Sequence, residues 1–202
     1  MSLTLLAWRR TVFAMYADVR STVADDPGGT LERFRSSKDR LFAGHPDTPI
    51  LPADRATFTG LRYWPYDPAM RFEVEVAPMA PVGISSISGT GDAYPLERFG
   101  RIELPMGPLD VFWVSVYGGG VFIPFRDATN GTETYGAGRY LLDTVKGADL
   151  GGTGGQLIVD FNYAYHPSCT YDPKWSCPLA PPANRLAVPI RAGERLGPPA
   201  TA

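Results

Sequence analysis

Apolar residues recur near helical spacing through 3–20, at Leu5, Trp8, Val12, Met15, Tyr16 and Val19, which predicts an amphipathic helix. A turn follows at Asp25-Asp26-Pro27-Gly28-Gly29. Thr30 then suits the N-cap of a second helix, 31–42, with Leu31, Phe34, Leu41 and Phe42 on one side. Arg33, Arg35, Lys38 and Arg40, diluted by Glu32 and Asp39, read as its solvated face. Three prolines mark 43–57 as a linker, with His45 an exposed loop residue.

From residue 58 the period switches to two. Met70–Val76 alternates strictly, Phe72, Val74 and Val76 inward and Arg71, Glu73 and Glu75 outward. Residues 101–104 alternate likewise, and further strands are expected at 58–66, 82–88, 93–99, 109–117, 120–126, 138–145, 155–163 and 185–191. Gly118–Gly120 and the glycines of 151–155 read as turns, since neither ends in the Lys-Ser/Thr of a phosphate loop. Many short strands without intervening helices predict a mainly β fold, an antiparallel barrel or sandwich with an N-terminal helical pair. The expected division is a helical segment, 1–45, and a β domain, 46–202.

Composition narrows the classes. The chain has 202 residues, enough for a core without staples. Gly 22 and Pro 20 make about a fifth of it, above the usual ~12%, but 12% aromatics argue for tight turns rather than disorder. A net charge of −2 gives no general attraction to nucleic acid or anionic lipid. No long apolar run spans a membrane, and the first ten residues place their charges after the apolar stretch, the reverse of a secretory signal. A cytoplasmic location is expected, where Cys169 and Cys177 stay reduced.

The chemistry concentrates between Asp160 and Glu194. In 156–162 both faces begin apolar, so Asp160 and Asn162 are expected to be shielded, and a shielded carboxylate needs a partner or a raised pKa. In a regular meander the strand opened by Arg139 neighbours that of Asp160, making Arg139 its expected guanidinium partner. Asp127 and Thr129 cap the Asn130-Gly131 turn, and Thr134 and Tyr135 re-enter the sheet near Arg139. Seven residues separate the cysteines and only His166 is near, a poor match to zinc spacing. Two buried hydrophobes are the commoner outcome for such cysteines. Tyr163, Tyr165, Tyr171 and Trp175 read as core or pocket lining.

Two blocks carry a family likeness: residues 124–139, and 160–169 continuing through Trp175–Leu179, Asn184–Leu186 and Ala192–Glu194. Through them the chain, from about Phe58 to Glu194, resembles the bacterial family catalogued as domain of unknown function 1684. The resemblance implies no activity. It favours the matching residues Asp127, Thr134, Tyr135, Arg139, Asp160, Asn162, Cys169, Cys177 and Asn184. It weighs against His166 as an essential group or metal ligand, because relatives often carry Asn there.

Three readings stand. The first is a cofactor-free pocket protein in which Arg139 holds an anionic group of a small molecule and Asp160 serves as general base. Asp127, Thr134, Tyr135, Asn162, Tyr165, His166 and Asn184 then line the ligand, and any catalysis is hydrolysis or proton transfer. The second is a non-enzymatic interaction protein with these residues as a buried clasp. The third is a metal centre of Cys169, Cys177 and His166.

Overall fold

The computed structural model describes residues 2–197. Helix α1 (Leu3–Thr22) is capped by Ser2, whose hydroxyl accepts from Leu5 N. Helix α2 (Pro27–Gly44) starts three residues before its cap was expected. Asp26, not Thr30, is the N-cap; its carboxylate accepts from Gly29 N, and Pro27 takes the first turn, where no amide partner is needed. Thr30 instead lies inside the helix, its hydroxyl against that of Thr22 on α1.

Strands β1 (Arg62–Tyr63), β2 (Arg71–Glu75), β3 (Ala77–Ile87), β4 (Ala93–Ile102), β5 (Leu109–Val114), β6 (Val121–Phe125), β7 (Arg139–Asp143), β8 (Gln156–Asp160) and β9 (Glu194–Arg195) follow. They form an antiparallel five-stranded sheet, β3-β4-β5-β6-β7, and two ladders, β2-β8 and β1-β9. The fold is mainly β with an N-terminal helical pair, and the sheets stop short of a closed barrel. One apolar cluster joins α1 and α2 (Met15, Tyr16, Val19, Leu31, Phe34, Leu41) to the sheets (Ile102, Leu109, Ile123, Leu141, Val159). A smaller cluster, Leu96, Phe112, Phe122 and Tyr140, holds the other face of the large sheet.

Four local expectations change. Residues 185–191 form no strand: Leu186 N donates to Arg126 O, and the Ile190 carbonyl accepts from a side chain instead of a ladder partner. The stretch 58–66 shortens to two residues between Gly60, at a positive φ, and Pro65. Arg35 and Lys38 are 8% exposed and face inward. His45 is half-buried, its ring edge-on to Trp8 at 5.2 Å.

Candidate functional site

Arg139 opens β7 with its side chain fully buried. Its Nη1 donates to the carbonyls of Ala192 (2.6 Å) and Glu194 (3.0 Å), and its Nη2 to Ile190 O and Asp127 Oδ2 (both 2.7 Å). The guanidinium also lies over the rings of Trp64 and Phe125. The expected partner was Asp160; the structure pairs Arg139 with Asp127 instead. The reason is strand order: β8 pairs with β2, setting Arg71 opposite Asp160, while β7 ends the large sheet.

Asp160 is 2% exposed, as the two-sided apolar pattern implied. Burial raises its pKa, opposed by hydrogen bonds from Asn162 N (2.9 Å) and Asn162 Nδ2 (2.8 Å). Asn162 imitates a backbone partner, accepting from Asp67 N and donating to Asp67 O. Asn184 does the same between β5 and β6: its side chain accepts from Asp110 N and donates to Asp110 O and Pro124 O.

Asp127 caps the following turn, Thr129 N donating to its Oδ1 at 2.6 Å. Thr134 is buried against the Thr129 hydroxyl and Asn130 Nδ2, outside any strand and without a bond to Arg139. Tyr135 does not flank Arg139 either; its phenol meets Cys169 and is pushed up to about 12, chiefly by burial. Cys169 and Cys177 are buried, free and in thiol–thiol contact. That contact draws the Cys177 thiol down to about 6 and, with burial, pushes Cys169 up. Among the described residues no three His, Cys, Asp or Glu side chains are placed to hold a metal.

Two residues absent from the sequence-derived site sit at its centre. Glu194 on β9 is 1% exposed. Its Oε1 accepts from Lys38 Nζ at 2.5 Å, and its Oε2 from His166 N at 2.7 Å and the Tyr171 hydroxyl at 3.1 Å. Burial pushes Glu194 up, but Lys38 and then His166 hold it below the usual carboxylate value. His166 Nδ1 lies 3.7 Å from the same carboxylate, and its Nε2 accepts from Tyr135 N at 3.3 Å. Burial pushes this imidazole down to about 4, so it is neutral at pH 7. A signal for Lys38 existed: 31, 34, 38 and 41 make one apolar helical stripe with a lysine in it.

Lys38, Tyr165, His166 and Cys177 line a cavity of about 100 Å³ between the helix pair and the sheet. Its walls are mostly apolar, drawn from Trp8, Val12, Met15, Phe34, Leu41 and Phe42, with Lys146 and Ser168 also on the lining. Lys38 Nζ stands 4.6 Å from the Tyr165 ring centre. Arg139, Asp160, Asp127, Asn162 and Asn184 do not reach this cavity.

No curated protein matches the sequence. Among solved structures, one similar chain is an uncharacterized protein of Haloarcula marismortui determined by solution NMR, 32% identical, with a TM-score of 0.58. The match covers 86% of this chain and 96% of that one. The model of the family described as "Protein of unknown function (DUF1684)" matches residues 56–195, and the chain belongs to that family.

Proposed function

We propose that the protein binds a small, largely apolar molecule bearing an oxygen acceptor in the cavity beneath the helix pair. One observation carries this reading. Lys38 has three ammonium donors and is 8% exposed, yet among the described residues it donates only to Glu194. The cavity is the open side of that group, and a ligand carbonyl or carboxylate there gives the remaining donors acceptors. The space, about 100 Å³, is smaller than the ~150 Å³ that takes a benzene-sized guest, so the ligand is a short-chain compound. Of the residues read from sequence, Tyr165, His166 and Cys177 belong to this site. Glu194 does not line the cavity, which favours binding and oxygen polarisation over proton abstraction.

Calorimetric titration with butyrate and butanone tests the reading. Lys38→Met alone leaves the buried Glu194 carboxylate unpaired, so the comparison uses Lys38→Met with Glu194→Gln. The native protein should bind at least one probe saturably and the double variant, still folded, should not. Equal binding by both refutes the assignment.

A second reading, a non-enzymatic clasp, is favoured by Arg139, Asp127, Asn162 and Asn184, whose hydrogen bonds all go to the protein's own backbone and side chains. In it the C-terminal segment is pinned to present a surface. Failure of every small probe on the native protein, with the fold intact, supports it.

A further inference from the structure

In the β1-β9 ladder Tyr63 faces Glu194 and Arg62 faces Arg195. Alternation turns Glu194 into the core, so Arg62 and Arg195 emerge together on the opposite side, both exposed. Like charges directly across an antiparallel pair destabilise it. Some arginines of the chain meet acids, as Arg101 does Asp110, Arg139 Asp127 and Arg191 Glu133. Arg62 and Arg195 meet no carboxylate among the described residues. Glu133, whose charge Arg195 feels, is engaged by Arg191 through both carboxylate oxygens.

Both arginines line a cleft of about 600 Å³, which shares only His166 with the cavity beneath the helices. Thr170 lines it too, and its buried hydroxyl has no partner among the described residues. Asp54 is the acid among the lining residues and pairs with neither arginine. Leu51 and Phe58 supply an apolar wall. His166 and Tyr171, tied to Glu194, form the partition toward the core.

We propose that this cleft is an oxyanion site in which Arg62 and Arg195 clamp the phosphate of a small phosphate monoester, its organic part lying against Leu51 and Phe58. Paired guanidiniums suit a tetrahedral dianion because each presents a planar fork of donors. Bound phosphate also removes the repulsion that the free ladder carries, so ligand and fold stabilise each other.

The test is titration of the full chain with inorganic phosphate and phenyl phosphate, followed by calorimetry and amide chemical shifts, with phenol as the uncharged control. Both phosphates should bind one to one, phenyl phosphate tighter, with affinity falling as salt rises; phenol should not bind. Arg62→Gln and Arg195→Gln should each weaken phosphate binding about tenfold or more. Each should leave the thermal midpoint of the unliganded protein unchanged or raised. The Lys38→Met/Glu194→Gln variant should keep phosphate binding, which separates this site from the cavity. No saturable binding, or undiminished binding in the Arg62→Gln/Arg195→Gln double variant, overturns the proposal. So does a lowered midpoint with phosphate affinity unchanged, which makes the pair structural.

Discussion

Arg139 shows how one side chain can replace a strand partner. Three carbonyls of the C-terminal segment, at 190, 192 and 194, converge on its guanidinium, and Asp127 balances the charge. Removing it leaves the buried Asp127 carboxylate without its counter-charge and takes a donor from each of three carbonyls. Arg139→Met should therefore cost about 3–5 kcal/mol, the range for breaking a buried pair. Urea unfolding measures it, and a loss under about 1 kcal/mol would show that the segment holds without the clasp. Arg139→Lys should recover only part, because an ammonium cannot reproduce the planar fork. His166 supplies one part of the pH dependence. Its native pKa, near 4, lies below the ordinary 6.5, so between those values the unfolded chain binds a proton that the native imidazole refuses. The His166 contribution is then full above 6.5 and falls as pH drops toward 4, by about 3 kcal/mol at ~1.4 kcal/mol per pH unit of displacement, while Asp143 and Asp160, pushed up by burial, act in the opposite sense. His166→Asn should flatten that part of the stability–pH curve; an unchanged slope would assign it to other groups. Glu194, also held low, adds a loss of the same sign at more acid pH, which the variant retains.

At the scale of elements, α2 is both a packing helix and the carrier of Lys38. Its N-terminus rests on Asp26, which caps Gly29 N and meets Arg33. Asp26→Ala should cost about 1 kcal/mol, within the usual range for a lost cap. Lys38 lies three turns further along, so probe binding in the cavity should survive that change. Binding lost together with the cap would mean that fraying reaches the site. The inward face of α2 was largely legible. Leu31, Phe34, Leu41 and Phe42 mark the buried stripe, and Lys38 falls on it. Net charge pattern pointed the other way, because four basic residues within one helix resemble a solvated face. Burial of Arg35 and Lys38 depends on acceptors brought by distant chain: Trp64 O for Arg35 and Glu194 for Lys38.

On the scale of the molecule, α1 docks on the turn after β7, where Arg9 donates to Val145 O and Arg20 to Asp149 O. With α2 it roofs the cavity, while β1 and β9 carry the arginine cleft on the other side of the Glu194 network. Among the described residues no helix is long and apolar enough to cross a membrane. The helical pair, the strictly alternating strands, the turn at Asn130-Gly131 and the shielding of Asp160 were all determined by the sequence alone. Each is written in side-chain alternation or turn chemistry within a few residues. Only the tertiary structure decided that β8 pairs with β2, that Arg139 takes Asp127 and three carbonyls, and that Lys38 meets Glu194. Such choices join segments up to 156 residues apart through irregular backbone. There the partner is set by which unpaired carbonyl or acid the fold brings within reach, and no local period records that.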